Sequence, residues 1–448
     1  SIREGLLSFV RPDEVDEKAI QAFLSCLHYL SADPSEPEAY AELRTRLEEI
    51  DRTIDNPHNY LYYLATPPLL YGVIPRHLKA EGLNREGDGF RRIVVEKPFG
   101  YDLSSALELN RIYLDAFREE QIYRIDHFLG KETVQNILAL RFANSVFEPL
   151  WNRNYIDYVE ITAVENMGIG TRGGFYDGVG TLRDMVQNHL AQLLAVTAME
   201  PPAAFDASGF RNEVVKVYQS LTPLTGEDIR HSVVRGQYMA SEGRKGYREE
   251  EQVPALSRTE TYLAMRLELN NWRWGGVPFY IRTGKQMPTK VSEIVIHFKP
   301  APYSLFRCEG GTCPVPNRLV IRIQPNEGIV LRLGMKKPGE GFEVLPMDMD
   351  FSYAELGRLP TEDAYARLIE DCIAGDPTLF ICSDAVESGW RFFDPILKYW
   401  QDVPECPLYG YPAGSWGPLE ADSLVARQGA SWTNPCKNLT NTDEYCEL

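Results

Sequence analysis

The sequence has no long apolar run: its longest, residues 190–199, is interrupted by Gln192 and is too short for a helix that crosses a bilayer. The opening residues show no basic-then-apolar secretory pattern. Cysteine is scattered. The eight, at positions 26, 308, 313, 372, 382, 406, 436 and 446, form no CxxC pair and no metal-ligand spacing with histidine. Neither a disulfide scaffold nor a zinc site is indicated, and no metal is expected. A reducing, cytoplasmic setting fits that cysteine usage. Positive charge is also short, with 46 Lys and Arg against 64 acids and a formal net charge of -18. This balance argues against a nucleic-acid or membrane binder and gives weight to any place where cations do cluster.

What is present is a chain of 448 residues, too long for one small core and suited to two domains. Residues 1–30 read as helical, and 36–50 as a second helix with Ser35 and Glu38 spaced as a capping box. Short runs rich in β-branched and aromatic residues, 60–64, 92–95 and 123–125, alternate with helical segments, the pattern of parallel βαβ units. From residue 157 onward strands dominate: 158–164, 233–239, 262–269, 279–283, 294–298, 318–323 and 329–333. Many are joined by short turns with Asn, Gly or Pro, which predicts a mainly antiparallel sheet covered by helices on one face. The fold class expected is α/β plus α+β. An incomplete Rossmann-like coenzyme domain covers 1–126, a larger substrate-binding and oligomerisation domain 127–432, and a polar, disordered tail 433–448.

Several loops could carry chemistry. A strand-like run ends at Asp126 and His127, and the amphipathic pattern Val134, Ile137, Leu138, Phe142 begins just beyond. If helix starts at Asp126, His127 and Lys131 share a face near free N–H groups, a seat for a phosphate dianion; an ordinary corner with a capping Asp and a solvated Lys reads equally well. Ala65-Thr66-Pro67-Pro68 and Glu96-Lys97-Pro98-Phe99-Gly100 each follow a strand, where open α/β sheets bind ligands. Residues 168–173 match GxGxxG, but the next helix is expected only near Thr181 with no strand after it, so they read as a loop beside a site. In the helix 181–199, His189 lies at the edge of the apolar face, the place of a core histidine on spacing alone. Asp184, five residues earlier, falls on a different face at α-helical pitch. Glu165 reads as a strand end, and Lys285 and Lys290 as a pair flanking a turn.

The stretch 123–132, YRIDHFLGKE, resembles the substrate signature of the glucose-6-phosphate dehydrogenase family, usually RIDHYLGKE. Further matches follow in order: YLATPP from Tyr63, RIVVEKPFG, RFANSVF, RDMVQNHL, NWRWGGVPFYIRTGK and GSWGP. The resemblance implies oxidation of D-glucose 6-phosphate to 6-phospho-D-glucono-1,5-lactone with hydride transfer to NADP, the first step of the oxidative pentose phosphate pathway. It also implies a homodimer or homotetramer built on the large sheet. By resemblance His189 is the base and Asp126 its partner, while His127, Lys131, Lys285 and Lys290 gather at the sugar phosphate. Glu165 and Asp184 accept from sugar hydroxyls. Lys97 stands between sugar and nicotinamide, with Pro98, Thr66 and Pro67 on the coenzyme side and a Lys97–Pro98 bond that can switch isomer.

Two departures stand out. Phe128 replaces the usual tyrosine, and no strand, glycine-rich turn and helix of the GxxGDLxxxK kind precedes residue 60, so the nucleotide-binding segment is expected to be missing. Two other readings share these letters: an enzyme like the glucose-fructose oxidoreductases, which also carry EKP after a strand, and a non-catalytic sugar-phosphate-binding or assembly subunit.

Overall fold

The computed structural model describes residues 2–9, 15–54, 58–303, 305, 317–339, 341–353, 363–426 and 430–435. Contacts divide the chain into two compact units, 1–60 with 69–91, and 61–68 with 92–448.

The first unit carries helices α1 (Ile2–Phe9), α2 (Glu17–Ser25), α3 (Glu38–Asp51) and α4 (Ile74–Ala80). Asp16 caps α2 by accepting from the N–H groups of Lys18 and Ala19. The capping box expected at α3 is not formed. That helix begins at Glu38 behind Pro37, and the Ser35 hydroxyl and N–H both donate to Asp33 Oδ1, a local turn that competes with capping. Tyr40 packs on His77 with ring centroids 5.0 Å apart, and Asp51 accepts from the Tyr60 hydroxyl and from His58 Nδ1.

Strands β1 (Tyr60–Leu64), β2 (Arg91–Val95) and β3 (Ile122–Arg124) form a three-stranded sheet in that order, with β2 and β3 parallel. Helix α5 (Leu103–Ala116) makes the crossover between β2 and β3. Asp102 opens it with a capping box to Ser105, and Ala106, Ile112, Tyr113 and Ala116 form its buried stripe. After β3 the chain does not enter a helix at Asp126. Residues 126–131 form a turn, and α6 (Glu132–Phe142) starts with Lys131 at its N-cap position. A Cβ on Gly130 would lie 2.6 Å from the Ala364 carbonyl oxygen, so the turn needs glycine there.

The large sheet has nine strands: β4 (Ile156–Val164), β5 (Val233–Met239), β6 (Tyr262–Glu268), β7 (Pro278–Gly284), β8 (Val291–Phe298), β9 (Arg318–Gln324), β10 (Gly328–Lys336), β11 (Val344–Ser352) and β12 (Tyr409–Pro412). Their order is β11-β10-β9-β8-β4-β7-β6-β5-β12, antiparallel except for β4 with β7 and β5 with β12. Strand β11 escapes sequence reading because it is an exposed edge with Pro346 and alternating acids. Its pairing is held by Arg332 with Asp348 (2.7 Å) and Arg322 with Asp350 (3.1 Å).

Helix α7 (Gly173–Thr181), a nine-residue π-helical segment Leu182–Leu190, and α8 (Ala191–Ala198) follow one another without a loop. The helix after 168–173 therefore opens at Gly173, earlier than expected, yet the next strand is β5 at Val233, so no βαβ unit surrounds those glycines. The remaining helices are α9 (Ala207–Gln219), α10 (Glu227–Ser232), α11 (Ala364–Ala374), α12 (Ser383–Asp402) and α13 (Asp422–Val425). The first residues of the expected tail are docked: Thr433 is buried and donates to Glu160, and Arg282 lies between the rings of Trp416 and Trp432 while donating to the Thr433 carbonyl. Residues 436–448 lie outside the described residues. Among the described residues no helix is long and apolar enough to cross a membrane.

Candidate active site

Four strands of the large sheet present their ends at one edge. The parallel register sets Val164 of β4 opposite Gly284 of β7, so the next residues, Glu165 and Lys285, emerge side by side and form an ion pair. On the other flank Val164 pairs with Val291 of β8, which places Lys290 at the same edge, and Ser292 pairs with Gln324, the last residue of β9. Lys131 reaches this edge from the turn before α6, donating to Gln324 Oε1 at 2.6 Å. Gln324 in turn donates to Ser292 Oγ at 3.0 Å.

The small sheet supplies the rest. Beyond β2 the chain runs through Glu96 and Lys97 into a cis Lys97–Pro98 bond, and Trp390 of α12 fixes the following loop by donating to the Phe99 carbonyl at 2.9 Å. Beyond β3, Asp126 is buried, and its Oδ1 accepts from the Phe128 N–H at 3.0 Å and from His189 Nδ1 at 2.6 Å. The other nitrogen of His189, Nε2, lies 2.8 Å from Lys97 Nζ. Lys97 also donates to the Asp184 carbonyl at 3.0 Å and contacts its carboxylate at 3.3 Å, while Lys285 lies 3.4 Å from the other oxygen of that carboxylate.

Asp184 and His189 therefore meet at one ammonium group, contrary to their expected placement on different faces. The cause is the π-helical winding, in which backbone bonds reach five residues back, as the Ala191 N–H does to the Val186 carbonyl. Residues five apart then come close to alignment, and such segments recur at functional sites.

Together these side chains line a cavity of about 210 Å³. It brings together Lys97, His127, Lys131, Glu165, Asp184, His189, Lys285 and Lys290 from the sequence reading, and adds Arg172, Ser292 and Gln324. Asp126 stands behind His189. Thr66, Pro67 and Pro98 are not among the lining residues. Arg172 sits in the GxGxxG loop, which is thus beside the cavity; Gln324, an ordinary strand end in sequence, becomes visible only through its register with Ser292. Phe128 is buried, stacked on His189 at 4.5 Å, with Lys131 Nζ 4.4 Å from its ring centre. Ligating atoms of Asp126, His127 and His189 lie within 4.8 Å of one another, a grouping the sequence did not suggest, but His189 Nδ1 is engaged by Asp126.

The electrostatics follow from crowding. Burial would raise the Asp126 carboxyl, but the charge and hydrogen bond of His189 outweigh it and hold it at about 2. Asp184 is pulled below its ordinary value against burial by Lys97 and Lys285. Burial, then Lys290, lowers Lys131. Burial, followed by His189, pushes His127 down to about 4, so it is neutral at pH 7. Because that value lies below the unfolded one of about 6.5, the unfolded chain binds more protons. The stability this group contributes is complete above about pH 6.5 and is lost as pH falls towards 4. The melting temperature is expected to drop across that window, and to drop less in His127→Gln; parallel slopes in thermal melts would refute the assignment.

Comparison with known proteins places this geometry. Residues 1–136 match the family model for the NAD binding domain of glucose-6-phosphate dehydrogenase, and 138–433 match that for its C-terminal domain. The first match corrects the expectation of a missing nucleotide-binding segment. That expectation looked for one glycine-rich signature, whereas the match extends over the whole of residues 1–136, including β1 to β3. The glucose-6-phosphate 1-dehydrogenase of Aggregatibacter actinomycetemcomitans is 51% identical over 440 residues, 97% of this chain and 88% of that protein. That of Treponema pallidum is 48% identical over 438 residues, covering 97% and 85%. A solved glucose-6-phosphate dehydrogenase in complex with its substrate glucose-6-phosphate superimposes with a TM-score of 0.88 at 34% identity, covering 96% of this chain and 88% of the other. On these matches, which span both halves of the sequence, the chain belongs to the glucose-6-phosphate dehydrogenase family.

Proposed function

We propose that this chain oxidises D-glucose 6-phosphate to 6-phospho-D-glucono-1,5-lactone, with NADP⁺ as hydride acceptor. The observation that carries the reading is His189, held by Asp126 on one ring nitrogen and presenting the other to a cavity ringed with cations. Asp126 fixes the tautomer in which Nδ1 carries the proton, leaving Nε2 as the base for the C1 hydroxyl. As that proton moves to Nε2, the C1 hydrogen leaves as hydride and C1 becomes a carbonyl carbon. The imidazolium formed is stabilised by the Asp126 carboxylate. Lys97 occupies the Nε2 direction, and Asp184 is placed to keep hold of it when a sugar hydroxyl takes that position.

Lys131, Lys290 and His127 form the phosphate seat, aided by Gln324. Glu165, Asp184 and Lys285, already linked to one another, are placed for sugar hydroxyls. Arg172 adds a further cation. An acidic chain has little other reason to gather these charges. When bound, the nicotinamide supplies the hydride-accepting carbon. Lys97, Thr66, Pro67 and Pro98 are the residues we assign to its end of the coenzyme, and Thr66 fits: its hydroxyl is buried with no hydrogen-bond partner. We assign 1–126 to the coenzyme domain and 127–432 to the substrate and oligomerisation domain, in a cytoplasmic homodimer or homotetramer.

The test is coenzyme reduction in the presence of glucose 6-phosphate. Turnover with it, and a fall in kcat/KM of at least about 100-fold with unphosphorylated glucose, is expected. Preference for free glucose would favour the oxidoreductase alternative, and sugar-phosphate binding without coenzyme binding the non-catalytic one. Phe128→Tyr provides a finer check. A hydroxyl there can donate to the phosphate, so the dissociation constant should fall, by no more than about 1.5–3 kcal/mol in free energy. An unchanged affinity by calorimetry would remove Phe128 from the phosphate seat.

A further inference from the structure

The π-helical segment that carries Asp184 and His189 has to start in the right phase, because shifting it by one residue would swing both side chains away from Lys97. Its start is held from outside the cavity. The helix is broken at Gly180, with φ 72° and ψ 168°, and the two residues that follow are gripped by Glu260, next but one before β6. The Glu260 carbonyl accepts from the Thr181 N–H at 3.1 Å and its hydroxyl at 2.9 Å, and the Glu260 carboxyl accepts from the Leu182 N–H at 3.0 Å. These are among the first donors of the segment, which lack an acceptor within it. The same carboxyl fills the space beside Gly180: a Cβ there would lie 2.5 Å from Glu260 Oε1.

We propose that Glu260 is a positioning residue of this enzyme, anchoring the base-bearing segment to the large sheet so that Asp184 and His189 converge on Lys97. The anchor is rigid because its neighbour is tied on both sides: the Thr261 N–H donates to the Gly236 carbonyl at 2.8 Å, and the Lys285 N–H donates to the Thr261 carbonyl at 2.9 Å. The strand that places Lys285 at the cavity thus also fixes the phase of the helix opposite. Tyr176 ties the two again, its hydroxyl 2.8 Å from Thr181 Oγ1 and its ring 5.5 Å from Lys285 Nζ. Glu260 is only 6% exposed, burial pushes its carboxyl up, and that carboxyl both accepts a hydrogen bond and fills the space beside Gly180.

The kinetic arm of the test rests on the function proposed above; the spectroscopic arm does not. In the full chain, Glu260→Ala is expected to lower kcat about 10- to 100-fold through loss of alignment. KM for glucose 6-phosphate should stay within about threefold, since His127, Lys131 and Lys290 lie on other elements. Glu260→Gln keeps an oxygen for the Leu182 N–H and should restore kcat to within about threefold of the parent. In NMR of histidine-labelled protein, the Nδ1 proton of His189 bound to Asp126 should persist in the parent and in Glu260→Gln, and shift or vanish in Glu260→Ala. Parental kcat and an unmoved His189 signal in Glu260→Ala would overturn the proposal. If that variant does not fold, Gly180→Ala probes the same contact with the carboxyl in place, and a parental kcat and His189 signal there would overturn it equally. A parent that turns over no glucose 6-phosphate sinks the proposed function, while the histidine signal still decides the role of Glu260.

Discussion

His189→Asn should lower kcat by about 10²- to 10⁴-fold while leaving KM for glucose 6-phosphate nearly unchanged. The asparagine amide cannot take up a proton, so the C1 hydroxyl would have to ionise to water as hydride leaves. The residues proposed for the phosphate and hydroxyls, Lys131, Lys290, Glu165 and Lys285, lie on other segments, so binding of the ground state should survive. The imidazole is 2% exposed and stacked on Phe128, so some loss of stability accompanies the substitution. Thermal melts at the assay temperature separate that loss from the chemical one. A primary isotope effect with C1-deuterated substrate should rise in the variant, because the chemical step becomes rate-limiting. A variant that keeps kcat within about threefold would show that His189 is not the base.

Recognising the site from sequence depended on local order, and it failed where order was set by pairing. The strands 60–64, 158–164 and 233–239 were legible because they are rich in β-branched and aromatic residues. That Glu165 and Lys285 are neighbours was not legible, since they are 120 positions apart and meet only through the parallel β4–β7 register. Gln324 became a partner of Lys131 for the same reason. The face assigned to Asp184 failed differently: α-helical pitch is the default, and nothing in the letters from Leu182 to Leu190 announces a five-residue winding. The start of that segment is held by Glu260, far along the chain. Of the two readings open at 126–131, helix or corner, the structure shows the turn, and the contact that makes glycine necessary at 130 comes from Ala364, far along the chain.

Asp126→Asn is the sharper test of the pair, with a fall in kcat of about 10²- to 10⁴-fold expected from a nearly isosteric change. In the parent Asp126 is held at about 2, so it is a carboxylate across the working range. Its Oδ1 is shared by His189 Nδ1 and the Phe128 N–H, and its Oδ2 is buried without a partner. An asparagine must choose. With its oxygen on Nδ1 it keeps the tautomer but leaves a buried NH₂ unsatisfied and no anion to stabilise the imidazolium. With its NH₂ on Nδ1 it forces the proton onto Nε2 and removes the base. In the first case the rate falls because the imidazolium formed has lost its counter-ion; in the second the base is gone and the residual rate climbs with hydroxide. The parent also gains stability from the depressed carboxyl, fully present above the unfolded value of about 3.9 and lost as pH falls towards 2. The variant should lack that loss, so the two stability curves converge in acid. An Asp126→Asn enzyme with the parental pH profile and parental kcat would mean that the carboxylate neither orients nor stabilises His189, and the assignment of the pair would fall with it.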